Sequence, residues 1–171
     1  MHWDHVSALS DFPQAPLLVR DAERQGAEDG RAPGFLRSQF ASVRYWQTVP
    51  LYSGPWMGFP QSQDLFGDGS AVLVPLGGHT AGQVGLVLRL PSGRCYPFTG
   101  DVSWTMVGLR TPADRSWLLR HVVHVDGDTH ANQLTLLRLH QLMRAHPELQ
   151  LVPSHDEQVA AQLPQFPNLA L

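Results

Sequence analysis

At 171 residues the chain is long enough to bury a sizeable core, and 43% hydrophobic against 16% charged residues excludes an intrinsically disordered polymer. The formal net charge is −3, and all 12 basic residues are arginines scattered without a run or stripe, which argues against a nucleic-acid-binding surface. Cys95 stands alone, so neither an intramolecular disulfide nor a cysteine-rich zinc knuckle is available, and a reduced cytoplasmic setting is expected. The first apolar stretch is broken by His2, Asp4 and His5, unlike a secretory leader, and no apolar run approaches membrane-spanning length.

In chain order, VSALSDF reads as a short helix or turn, and APLLVR (15–20) as a buried strand. DAERQGAEDG follows as a helix closed by Gly30. Residues 35–48 are expected to form another helix. The stretch 50–69, rich in Pro, Gly, Ser and aromatics, is a long loop whose Tyr52, Trp56, Phe59 and Phe66 anchor it to the body or line a pocket. AVLVPL (71–76), QVGLVLRL (83–90) and CYPFTGD (95–101) read as strands, the last two joined by the tight turn PSGR. Residues 128–146 form a helix capped by Asp128 or Thr129 and stopped by Pro147, with a Leu-rich core stripe over 134–143 that includes Leu134, Leu137 and Met143. LQLVPSHD is a strand followed by a loop, and EQVAAQL a final short helix. Mixed β and α elements with no internal repeat or linker predict a single α/β domain over 1–171.

Nine histidines are the notable feature of the composition. Four short segments carry His or Asp at strand ends or turns: HWDH (2–5), GGHTAGQ (77–83), FTGD (98–101) and PSHD (153–156). Strand ends are where an α/β scaffold presents ligands to a shared site, and nitrogen with oxygen donors suits zinc. One such segment arises easily by chance; the four together, in this order, are far more specific. His121 and His124 lack an acidic partner motif and are expected to be structural. His130, His140 and His146 belong to the long helix as surface or interface residues. Trp3 and Trp104 are expected to pack beside the ligands, and Cys95 to be a small buried residue.

These segments resemble the metallo-β-lactamase-fold hydrolases, the superfamily that includes glyoxalase II-type thioesterases and acyl-homoserine lactonases. The family pattern runs His-x-His-x-Asp-His, then Gly-His-Thr, Thr-Gly-Asp and a late His. HWDH matches its second His, Asp and third His, while the first His would fall just ahead of Met1. The stretch LFGDGSAVLVPLGGHTAGQVGLVL also looks typical, and the likeness runs from residue 2 to about 156.

The resemblance implies an αββα sandwich with much of the first sheet missing from this chain. It implies a two-metal centre: His2 and His79 in one half, Asp4, His5 and His155 in the other, and Asp101 bridging. Zn2+, one or two ions, is the expected cofactor, and a water or the α-amino group of Met1 is a candidate for the position of the missing His. The implied chemistry is attack of a metal-bound hydroxide on an ester, lactone or thioester carbonyl of a small molecule, with Asp4 or Asp101 moving a proton. Tyr45, Tyr52 and Tyr96 are candidates for a carbonyl-polarising hydroxyl. A catalytically impaired or inactive remnant, serving only as a metal-binding or association module, is the alternative. Loss of sheet partners would expose an edge or face through which a homodimer forms.

Overall fold

The computed structural model describes residues 1–30, 34–113 and 115–164. The chain begins with α1 (Trp3–Val6) and a 3-10 turn (Leu9–Asp11), followed by β1 (Leu17–Val19) and α2 (Asp21–Asp29). Gly30 closes α2 in the left-handed conformation that an L side chain resists. A 3-10 turn (Arg37–Phe40) leads to β2 (Trp46–Thr48), β3 (Gln63–Asp64), β4 (Ala71–Pro75), β5 (Val84–Arg89) and β6 (Cys95–Gly100). The rest is α3 (Met106–Arg110), a π-helical turn (Leu119–Val123), α4 (Thr129–Ala145), β7 (Val152–Pro153) and α5 (Glu157–Ala160).

Two sheets form among the described residues. β1 and β2 pair in parallel, and the larger sheet has the order β3-β4-β5-β6-β7, antiparallel up to β6 and parallel between β6 and β7. The period-two alternation of β4 explains why the larger sheet is covered on both faces. Val72, Val74 and Leu76 point into the main core with Val87 of β5 and Leu109, Leu136, Leu139 and Leu142 of α3 and α4. Leu73 points the other way, with Val84 and Leu86, against Val49 and Leu51. A third cluster, Val6, Ala27, Phe35 and Phe40, fastens α1 to α2.

Most expected elements are present, with three differences. Residues 35–48 are not a helix: a 3-10 turn is followed by β2, whose Trp46 pairs with Leu17 of β1. Aromatic and β-branched residues favour that extended pairing. In APLLVR only Val19 is buried among the three strand residues, and Leu18 is exposed. On α4 the core stripe is Leu136, Leu139 and Leu142, whereas Leu134 and Leu137 are 53% and 39% exposed. Met143 packs against the main core as expected, and the rest of the stripe keeps the helical period but lies about two residues later. Asp128 caps α4 by accepting from the Ala131 N–H at 2.9 Å. No described helix is long and apolar enough to cross a membrane.

Candidate metal centre

The His- and Asp-bearing segments meet at the carboxyl ends of the larger sheet. β6 ends at Gly100, which stands opposite Pro153 of β7, so Asp101 and His155 leave adjacent parallel strands side by side. The His155 N–H donates to the Trp104 carbonyl at 3.2 Å. Asp156 steadies the same corner, accepting from Met106 N–H at 2.8 Å and capping α5 through Val159 N–H at 3.0 Å. His79 sits beyond β4, where Gly78 and His79 carbonyls accept from Asp128 and Gly127 N–H, both at 2.9 Å. α1 brings Asp4 and His5 over these ends, with His2 immediately before it.

Asp4, His5, Asp101 and His155 present ligand atoms that all lie within 4.8 Å of one another. Asp101 divides its carboxylate. Oδ1 is 3.3 Å from Nε2 of His5 and 3.3 Å from Nε2 of His155, while Oδ2 is 3.4 Å from Nε2 of His79. An Asp4 oxygen lies 3.6 Å from Nε2 of both His5 and His155. Nδ1 of His2 is 3.0 Å from Nε2 of His79. Two ligands bonded at about 2.0–2.2 Å to a tetrahedral zinc stand about 3.3–3.6 Å apart. The His–Asp separations match that edge and exceed ordinary hydrogen-bond lengths. Asp101 Oδ1 is buried without a hydrogen-bond partner, which an ion would resolve. The donor set and spacing therefore fit a divalent metal.

The charges are strongly coupled. Burial alone would raise the Asp101 pKa, but His5, His79 and His155 around it hold it well below the usual carboxylate range. The His5 imidazole is raised by its contact with the Asp101 carboxylate, against the opposing effect of burial. Burial and the neighbouring His79 lower His2 to about 4, so it is neutral and a competent donor at pH 7.

Sequence reasoning missed the residues behind the ligands. Nδ1 of His79 is 3.0 Å from Oδ1 of Asp126, which Arg115 grips through Nε at 3.0 and 2.8 Å. The same guanidinium donates to the Asp101 backbone carbonyl at 2.6 Å and lies 4.8 Å from the centre of the Trp104 ring. Glu23 of α2 is buried, accepts from Gly82 N–H at 3.1 Å and pairs with the Met1 amino group. That amino group is thus engaged by Glu23 rather than directed into the ligand cluster. Burial raises the Glu23 pKa, and the amino group, Thr80 and Gly82 more than offset it. A VDGD stretch ahead of a helix or a lone Glu in an amphipathic helix gives no ligand-like signal in one sequence.

The other candidates fall elsewhere. His121 and His124 are exposed, and His146 faces Glu148 at 3.2 Å. His140 is half-buried at the interface between α4 and α3, its Nδ1 2.9 Å from the Leu109 carbonyl. Tyr45 and Tyr52 are exposed and Tyr96 is buried in β6; none lines the clefts that flank the ligands. One cleft, of about 530 Å3, is walled by Trp3, Trp104, Val123 and Val125 above His2, Asp4, His79, Asp101 and His155.

No family model matches the chain. It is 30% identical over 166 residues to proteins named "Probable metallo-hydrolase" from Mycobacterium bovis and Mycobacterium tuberculosis, covering 90% of this chain and 52% of each of theirs. It is 29% identical over 110 residues to an N-acyl homoserine lactonase, AttM, of Rhizobium johnstonii, covering 62% of this chain and 40% of that one. The chain thus spans about half the length of the curated relatives it matches. A B. thuringiensis AiiA variant with N-decanoyl-L-homoserine at its active site superposes with a TM-score of 0.73 at 16% identity, over 97% of this chain and 57% of that one. An N-acyl homoserine lactone hydrolase with N-hexanoyl-L-homoserine at its catalytic metal centre gives 0.73 at 15% identity, over 97% and 57%. The chain therefore shares the fold of these lactone-hydrolase structures, and the order of its His- and Asp-bearing segments resembles that of the metallo-β-lactamase-fold hydrolases.

Proposed function

We propose that this chain carries the ligand cluster of a metal-dependent hydrolase that opens an ester, lactone or thioester carbonyl of a small molecule. The observation that carries this reading is the divided carboxylate of Asp101, with His5 and His155 on one oxygen and His79 on the other. Asp4, His5 and His155 would hold one ion, His2 and His79 the other, and Asp101 would bridge them; zinc suits this mixture of imidazole and carboxylate. When bound, a divalent metal supplies Lewis acidity toward the carbonyl oxygen and lowers the pKa of a water.

The protein's own groups do the rest. Asp101 is kept ionised by its imidazole neighbours and balances cationic charge between the two halves. Asp4 stands beside His5 and His155 with its carboxylate partly open to solvent, where it can take up a proton and return it to a leaving oxygen or sulfur. The Trp3, Trp104, Val123 and Val125 walls exclude water from an apolar substrate portion. The names of the AttM relatives favour a lactone among the three carbonyl classes. A cytoplasmic setting, supported by the lone buried Cys95, and a homodimer formed through exposed apolar surface belong to the same reading.

The test is metal analysis of the purified chain together with turnover on ester, lactone and thioester panels, and size-exclusion mass measurement. Bound divalent metal and turnover, both lost in His155→Ala and Asp101→Asn, are expected. A folded chain that takes up no divalent metal would overturn the proposal. One weakly held metal without turnover in any panel would favour the inactive remnant instead.

A further inference from the structure

We propose that Asp126 and Arg115 are positioning residues that lock His79 in its Nδ1–H tautomer and so build the His2–His79 half of the centre separately from the Asp4–His5–His155 half. This rests on the functional reading above and adds to it a pair of residues that touch no ligand position directly except His79 and the Asp101 main chain.

The tautomer follows from what each group can do. A carboxylate only accepts, and both oxygens of Asp126 already face the Arg115 guanidinium, at 3.0 and 2.8 Å. Nδ1 of His79, 3.0 Å from Asp126 Oδ1, must therefore carry the proton. Nε2 is left as a lone pair facing His2 and Asp101 Oδ2, at 3.0 and 3.4 Å. Asp126 cannot rotate away, because both of its oxygens accept from Arg115 and its side chain is almost wholly enclosed. Arg115 in turn fixes the Asp101 carbonyl at the end of β6. One guanidinium thus sets the distance between the His79 loop and the strand end that carries Asp101. Among the described residues, the carboxylates that meet His5 and His155 are Asp4 and Asp101, within the cluster itself, and His155 meets the edge of the Trp104 ring at 6.4 Å between centres.

That asymmetry is what the experiment reads. Outer-shell partners of metal-binding histidines typically change affinity by about 10–100-fold. In the full chain freed of metal, 15N–1H correlation of the histidine side chains reports the His79 tautomer without any ion. Titration with Co2+, followed by its absorption bands, then reports the two halves. Asp126→Ala is expected to lose the Nδ1–H preference of His79 and to weaken one Co2+ equivalent by about 10–100-fold, leaving the other within a few-fold. Asp126→Asn, which keeps the size and one acceptor oxygen, guards against misfolding and is expected to lie between parent and Asp126→Ala. Arg115→Lys should restore part of what Arg115→Gln loses. An unchanged His79 tautomer in Asp126→Ala, or equal weakening of both equivalents, overturns the inference while leaving the hydrolase reading intact. A parent chain that takes up no Co2+ overturns the hydrolase reading, and the tautomer measurement still decides whether Asp126 sets His79.

Discussion

Gly78→Ala should be among the most damaging small substitutions in this protein. A Cβ at Gly78 would sit 2.2 Å from the backbone N of Asn132, 2.3 Å from its Cα and 2.8 Å from the carbonyl carbon of Ala131. These are main-chain atoms of α4, so no side-chain rotation relieves the overlap. Gly78 also has φ +139°, which a residue with a Cβ adopts only under strain. Overpacking costs about 1–3 kcal/mol and a sparsely populated backbone conformation about 1–3 kcal/mol more. The sum, about 2–6 kcal/mol, is a large part of the 5–15 kcal/mol typical of a folded domain. If α4 retreats instead, the Gly127 and Asp128 hydrogen bonds to the His79 and Gly78 carbonyls are lost and His79 moves. Urea unfolding followed by tryptophan fluorescence measures the first effect, and Co2+ uptake the second. Gly58→Ala is the control: φ is +84° there but nothing lies within 4 Å of the added Cβ, so only the backbone cost applies. A Gly78→Ala protein within about 1 kcal/mol of the parent and with parental Co2+ binding would refute the packing argument.

With metal removed by a chelator, stability is expected to fall on both sides of about pH 6.5. His2, lowered to about 4, leaves the unfolded chain binding more protons between 6.5 and 4, so stability drops as pH falls through that window. His5 is raised, so its contribution is complete below 6.5 and is lost as pH rises through its folded value. His2→Gln should flatten the acidic side and His5→Gln the alkaline side of a plot of urea midpoint against pH; unchanged slopes would contradict the electrostatic account. Leu139→Ala should cost about 2–5 kcal/mol, whereas Leu134→Ala, on the exposed face of the same helix, should stay within about 0.5 kcal/mol by the same unfolding assay.

How far the sequence could be read depended on the range of the interactions. β4, β5 and β6 stand out because alternating apolar runs and the PSGR turn encode them locally. The Asp128 cap and Pro147 mark α4 in the same local way. β2 is not legible as a strand because its partner, β1, lies about thirty residues upstream, and nothing in YWQT itself announces that pairing. The α4 stripe was misphased because Leu occurs on both faces, and only contact with Val74, Leu76 and Leu109 selects Leu136, Leu139 and Leu142. At the candidate site, ligand residue types in a recognisable order pointed to His2, Asp4, His5, His79, Asp101 and His155, which the structure gathers at one place. Asp126, Arg115 and Glu23 escaped because holding a ligand from behind demands no motif, only a nearby carboxylate or guanidinium in three dimensions.

The ligand positions are spread along almost the whole chain, from α1 to the corner after β7. An ion held jointly by His5 and His155 would close a loop of about 150 residues, a constraint of the long-range kind that a disordered chain pays most entropy to meet. During synthesis His2 and His5 are made long before His155, which follows only when nearly all of this stretch is complete. An ion held in this way would enter late in assembly, once the folded chain has brought both ends of the loop together.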